Sequence, residues 1–207
     1  MNPPGRYAAP ERGIARLGSL YRPGRVTQKA MTTPTYAYGV IILPPPDLYR
    51  ELLAIRERHP LLRSPVPPHI TVKSPFIYRH SGAVVIEQLE AIFERWEPFE
   101  VQLNGLGVFR SSILYVKVEP SPALEDLHQD LVDGLDGFVE TLNDRYDGDA
   151  YTPHLTLAES MAPEDIPEAR RALADVRFRR RFVVDRIHLL RGKGKWDITR
   201  SFPLGDA

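Results

Sequence analysis

The sequence predicts an α+β protein made of two pseudo-twofold-related lobes of antiparallel-rich sheet, with flanking helices around a central cleft. Three observations predict it. Segments that alternate apolar and polar residues, the mark of half-buried strands, are interleaved with segments whose apolar residues recur at helical spacing. The same strand–helix–strand–helix order runs through both halves of the chain, with strands starting near 35 and 113 and helices near 47 and 123, then 84 and 163. One short tetrad, Pro-His-apolar-Thr, occurs once in each half on equivalent strands.

Taken in order, Thr35–Leu43 is a β-rich run closed by Pro44-Pro45-Pro46. Asp47 suits a helix N-cap, and Leu48, Leu52 and Ile55 share a face of the helix that follows. His69–Phe76 alternates as a strand. Val85, Leu89, Ile92 and Trp96 mark a second helix, and Phe99, Val101 and Leu103 alternate with Glu100 and Gln102 as another strand. In the second half, Ile113–Val118 is a strand. Ser121-Pro122 opens a helix with Leu124, Leu127, Leu131 and Leu135 on one face. Tyr151–Glu159 is a strand, and Pro163–Val176 is a weaker helix. Phe182–Leu190 and Trp196–Phe202 are two closing strands around the turn at Gly192–Gly194. The duplicated part spans 34–207, with lobe halves expected at 34–110 and 111–207.

Composition narrows the function. The 27 basic and 27 acidic residues balance, but residues 1–33 hold six basic groups (Arg6, Arg12, Arg16, Arg22, Arg25, Lys29) against Glu11 alone. The remainder carries 21 basic and 26 acidic residues, a net −5. So mild an acidity argues against broad nucleic-acid coating, and phosphate recognition is expected in a local cleft. Residues 1–33, rich in Pro, Gly and Arg without periodicity, read as a flexible basic leader. The chain has no cysteine, which excludes disulfides, thiolate ligands and a cysteine nucleophile. It has no apolar run of spanning length. A cytoplasmic monomer with no membrane partner is expected.

The tetrads carry the chemistry. Pro68-His69-Ile70-Thr71-Val72 matches Pro153-His154-Leu155-Thr156-Leu157, in a chain with six histidines and nine threonines. Residues i and i+2 of a strand point the same way. His69 and Thr71 therefore face one side while Ile70 and Val72 face the core, and His154 and Thr156 do likewise. A pseudo-twofold axis brings both pairs to one cleft. Reaction at a phosphodiester requires one group to take a proton from the attacking oxygen and another to give one to the leaving oxygen. Histidine suits both roles because its ordinary pKa, about 6.5, lies near working pH. Each threonine hydroxyl can donate to a non-bridging phosphoryl oxygen.

These paired His-x-Thr motifs resemble those of the 2H phosphoesterase superfamily, which includes the 2′,5′ RNA ligase-like proteins. His69-Ile70-Thr71-Val72-Lys73-Ser74-Pro75-Phe76 is especially similar, since members often follow the first motif with Pro-Phe. The resemblance covers 35–205. It implies a bilobal fold, no metal or other cofactor, and hydrolysis or ligation of 2′,5′-linked or 2′,3′-cyclic nucleotide phosphodiesters. The substrate is then a nucleotide or an RNA end. By motif match, His69 and His154 are the catalytic pair and Thr71 and Thr156 bind phosphate.

Two further residues are candidates for substrate contact. Lys73 continues the face of His69 and Thr71, where it could supply charge to a phosphate or reach solvent at the rim; its counterpart is Ala158. Tyr115 shares a strand face with Lys117, where it could stack on a base or simply pack. Arg191, Lys193 and Lys195 form a basic turn for which solvation is the default reading. His59, His80, His128 and His188 have no threonine partner and receive no role. A zinc site at the two histidines lacks a third ligand on either strand, and there is no Gly-x-Ser-x-Gly elbow. The competing function is a non-catalytic RNA-end or nucleotide-binding module using the same cleft. Histidine at both positions favours the enzyme, since a pure binder could use Arg or Lys there.

Overall fold

The computed structural model describes residues 36–193 and 195–205; the expected leader, 1–33, lies outside them. The strands are β1 (Ala37–Ile42), β2 (Ile70–Tyr78), β3 (Phe99–Phe109), β4 (Ile113–Val118), β5 (Val139–Thr141), β6 (His154–Ala158), β7 (Arg179–Val184), β8 (Arg186–Lys193) and β9 (Lys195–Pro203). The helices are α1 (Pro46–Arg58), α2 (Gly82–Phe93), α3 (Pro122–Gly134) and α4 (Ile166–Ala172).

Helix ends follow local chemistry. α1 and α3 each begin with a proline in the first turn, where a missing N–H costs nothing. Asp47 lies inside the first turn of α1 rather than capping it, because Pro45 takes the cap position. α4 is shorter than the 163–176 pattern suggested and is preceded by a 3₁₀ turn at Pro163–Asp165.

The strands form one antiparallel sheet in the order β7-β3-β4-β6-β2-β1-β8-β9, with β5 added to the far end of β2. This order is itself pseudo-twofold, about a seam between β6 and β2. The seam is thin, with one registered pair, Ile70 opposite Leu155. The two halves of the chain exchange strands across it. β3 comes from the first half but pairs with β4, and β8 comes from the second but pairs with β1. The division expected at 110/111 falls within the β3–β4 hairpin, inside one group of strands rather than between two. Exchange also corrects the single strand expected at Phe182–Leu190. The chain breaks there at Asp185 into β7, which pairs with β3, and β8, which pairs with β1. Val184 and Arg186 are separated by a single residue yet lie in strands far apart in the sheet order. Consecutive Cα atoms are only about 3.8 Å apart, so the sheet must curl until these strands meet.

One face of the curled sheet is covered by the helices. Val40, Ile42, Ile70, Val72, Leu114, Val116, Leu155 and Leu157 pack there against Leu52, Ile55, Leu89, Ile92, Leu127 and Leu131 in one continuous core. The alternation that buries Ile70 and Leu155 turns His69, Thr71, His154 and Thr156 to the opposite face.

Candidate active site

Both histidines sit at the start of a central strand, and both are held by the same backbone device. Nδ1 of His69 is 2.7 Å from the carbonyl of Pro67, and Nδ1 of His154 is 2.8 Å from the carbonyl of Thr152. A carbonyl only accepts, so each Nδ1 carries the proton and donates. Each Nε2 is then an unprotonated nitrogen available for proton exchange. Nε2 of His69 lies 3.2 Å from Oγ1 of Thr71, whose hydroxyl donates to it.

The surroundings lower the pKa of both rings. Burial is the main cause in each case, because a charged imidazole is poorly solvated there. At His69 the nearby charges of His154 and Arg56 lower it further, partly offset by Glu159. His154 packs instead against aromatic edges. The rings of Phe109 and Tyr115 lie 4.8 and 5.3 Å from it in edge-on contact, and stack on each other at 4.1 Å.

Side chains bond the carbonyls that border the seam. Beyond the Ile70–Leu155 pair, the next carbonyls on β2 and β6 do not bond across it. On one side the Tyr151 hydroxyl donates to the carbonyl of Thr71 at 2.9 Å. On the other, Arg56 of α1 donates to the carbonyls of Thr156 (2.6 Å) and Val66 (2.7 Å). Each half thus sends a group from outside its motif to the threonine of the other half.

Tyr151 is supported in turn by His128 of α3, stacked on it at 3.9 Å. His128 donates through Nδ1 to the carbonyl of Val72 (2.6 Å) and accepts at Nε2 from the Gly148 N–H (2.8 Å). A cavity of about 560 Å³ opens beside His154 and Thr71. Phe109, Ile113, Pro75 and Tyr151 give it an apolar middle, and Arg110, Arg145 and Tyr146 stand on its lining.

The profile of the 2′-5′ RNA ligase superfamily matches residues 44–196. The chain belongs to the 2′-5′ RNA ligase superfamily. Its superfamily relatives include "Putative phosphoesterase OB1230" of Oceanobacillus iheyensis, 29% identical over 173 residues that cover 81% of this chain and 98% of the relative. "Putative phosphoesterase GK0864" of Geobacillus kaustophilus is 30% identical over 176 residues, covering 81% and 96%. Among solved structures, E. coli LigT complexed with 3′-AMP superposes with a TM-score of 0.56 at 15% identity, over 84% of this chain and all of that one. TT0787 of Thermus thermophilus gives 0.56 at 19% identity, over 81% and 97%. At such identity these two structures speak for the fold. Together with the profile they bear out the 2H resemblance drawn from the two tetrads.

The pairing of β2 with β6 at Ile70–Leu155 sets the two tetrads side by side; Thr71 and His154 line the cavity, and Tyr115 packs against His154. Tyr115 pairs opposite Thr156 on the cleft face, where its ring lies flat on Gly107. A Cβ at Gly107 would stand 2.3 Å from Cζ of Tyr115, so glycine there lets the ring lie against β3. Lys73 does not join them. The β1–β2 register slips between Ile41–Thr71 and Val40–Lys73, leaving Val72 as an extra residue. That bulge turns Lys73 to the side of Val40, beneath the sheet. There it is 2% exposed, paired with Asp147 and bonded to Oγ1 of Thr141 at 2.7 Å. In the basic turn, Arg191 lies over the ring of Tyr36 and Lys195 faces Asp197. Among the described residues no three His, Asp or Glu side chains converge as a metal cage, and no helix is long and apolar enough to cross a membrane.

Arg56 and His128 were legible in principle. Each stands on the apolar stripe of its helix, Arg56 four residues after Leu52 and His128 four after Leu124. A polar residue on a buried stripe needs a partner. Phe109, Arg110 and Tyr146 gave no comparable signal, since they enter the site through turn geometry.

Proposed function

We propose that the chain is a phosphodiesterase of the 2H type acting on 2′,3′-cyclic or 2′,5′-linked nucleotide phosphodiesters. The observation that carries this reading is the matched backbone lock. Two imidazoles at the starts of the neighbouring strands β2 and β6, each with Nδ1–H fixed to the carbonyl two residues back, leave two Nε2 atoms free. In hydrolysis of a cyclic phosphate, one Nε2 takes a proton from water as its oxygen bonds to phosphorus. The bond from phosphorus to one ribose oxygen breaks, and the second imidazole protonates that oxygen. His69 is assigned as the base, because burial and the charges of His154 and Arg56 keep its Nε2 unprotonated, and His154 as the acid. Thr71 and Thr156 donate to the non-bridging oxygens, where charge concentrates. With a ribose hydroxyl in place of water as the attacking group, the same steps join it to the cyclic phosphate. Both histidines come from one chain, which supports a monomer as the active unit. Neither step uses a metal.

The test is turnover of 2′,3′-cyclic nucleotides and of 2′,5′- and 3′,5′-linked dinucleotides, with product position read by mass and NMR and the rate compared with and without EDTA. Hydrolysis of a cyclic or 2′,5′ substrate, unchanged by EDTA, is expected. Tight binding without product across the series would instead favour the nucleotide-binding module. Loss of the rate in EDTA, restored by zinc or manganese, would make His69 and His154 metal ligands.

A further inference from the structure

The hairpin that joins β3 to β4 is built against its own preference. Arg110 and Ser111 at its tip have φ of +47° and +53°, in the left-handed region where glycine and asparagine are favoured. A larger side chain held there points to a use for that side chain. The Arg110 guanidinium lies over the ring of Tyr146 at 5.2 Å, and that of Arg145 over the same ring at 4.9 Å. One ring therefore holds two like charges, and both arginines line the same cavity. Asn143 accepts from Nε of Arg145 at 3.1 Å, which fixes the guanidinium and leaves its terminal nitrogens unused. Among the described residues neither arginine has a carboxylate partner, and no Asp or Glu lines this cavity.

Two unneutralised guanidiniums on one cavity are suited to a phosphate, since each can donate parallel N–H bonds to its oxygens. They share a cavity with His154 and Thr71, whose lining also includes Phe109, Ile113 and Tyr151. Such a lining combines anion-binding groups with ring and aliphatic surface suited to a nucleoside. Building on the phosphodiesterase reading, we propose that Arg110, Tyr146 and Arg145 form a second phosphate subsite. The preferred substrate then carries one phosphate beyond the reacting one. That group is either the far-end phosphate of a mononucleotide or the next internucleotide phosphate of an oligonucleotide.

Binding and turnover test this separately. Calorimetry of the full chain would compare adenosine 3′-monophosphate with adenosine 3′,5′-bisphosphate and with the dinucleotide ApAp. The extra phosphate is expected to tighten binding about tenfold or more, an advantage that shrinks as salt rises. In Arg110→Asn, which suits the left-handed turn, combined with Arg145→Gln, the advantage should collapse towards one. A charge-matched control on α4, Arg170→Gln combined with Arg171→Gln, should keep it. A gain confined to the bisphosphate identifies a terminal phosphate, and a gain confined to ApAp an internucleotide one. Equal binding of all three ligands, or an advantage that survives in the double variant, overturns the subsite. In parallel, kcat/KM would be compared for a 2′,3′-cyclic nucleotide with and without a 5′-phosphate. Absence of all turnover counts against the phosphodiesterase reading alone, because the binding ratio still decides the subsite.

Discussion

At the first motif the imidazole is half-buried among charges; at the second it is half-buried against aromatic rings. His69 has Arg56, Glu159 and the Thr71 hydroxyl around it, whereas His154 has Phe109 and Tyr115 and opens onto the cavity. The backbone lock is common to both. Under the proposed mechanism the repeated motif supplies two equivalent proton carriers, and their unlike surroundings make them unequal. A reaction at phosphorus needs that inequality, since one carrier must begin empty and the other loaded.

The largest effects test whether the two act as one unit. His69→Ala and His154→Ala should each lower kcat/KM by about 10²–10⁴-fold. The double variant should lose far less than the product of the two. Multiplicative losses in steady-state assays would mean independent contributions. The pH profile of kcat/KM sharpens the comparison, because it reports the free enzyme. Both pKa values lie below the ordinary histidine value, mainly through burial. As pH rises through these depressed values the pair loses its one required proton, and as pH falls below them it loses its one required empty nitrogen. The bell should be centred on the acid side of about 6.5 and decline by neutral pH. A centre above about 7 would contradict the burial argument.

Lys73 tests the boundary between the site and its support. Lys73→Met leaves Asp147 as a buried carboxylate without its partner and should destabilise the fold by about 3–5 kcal/mol, measured by urea denaturation. With the fold intact at low temperature, KM should hold near the wild-type value. A rise in KM with unchanged stability would return Lys73 to the cleft.

This residue also marks where the sequence stops being informative. Strand alternation placed His69, Thr71, His154 and Thr156 because nothing interrupts the period between i and i+2. Two residues further, the Val72 bulge reverses the phase, and no local signal in Val72-Lys73-Ser74 announces it. The exchange of β3 and β8 was hidden for a similar reason. Periodicity identifies a strand but not its neighbour, and the break at Asp185 interrupts a run of residues that otherwise reads as one strand. Helix faces were read correctly as apolar stripes, yet the polar members of those stripes, Arg56 and His128, are the ones that reach the site.

The threonines come next in size. Thr71→Ala and Thr156→Ala each remove one donor to a charged oxygen, roughly 1.5–3 kcal/mol, or about 10- to 100-fold in kcat/KM. Thr71 also bonds His69, whereas no such bond joins Thr156 to His154. Thr71→Ala should therefore shift the pH profile as well as the rate, and Thr156→Ala the rate alone. Identical profiles for both variants would show that this bond does not tune His69.

The smallest expected effect concerns the seam. Tyr151→Phe keeps the ring stacked on His128 but removes the hydroxyl that bonds the Thr71 carbonyl. Burial, aided by Asp147, raises the Tyr151 pKa well above its ordinary value, so the group remains a donor across the working range. Leaving that carbonyl without its partner should cost about 1–2 kcal/mol of stability. A role confined to stability would end there. If Tyr151 also sets the spacing of β2 and β6, its loss lets the strands shift and changes the distance between the imidazoles. Their mutual repulsion is one reason His69 resists protonation. Greater separation weakens it and draws the two apparent pKa values of the bell together. Arg56 occupies the matching place on the other side of the seam, but its charge acts on His69 directly, so removing it would mix two effects. Tyr151→Phe isolates the geometric one: a narrower bell with a modest fall in kcat supports spacing control, and an unchanged bell confines Tyr151 to holding the fold.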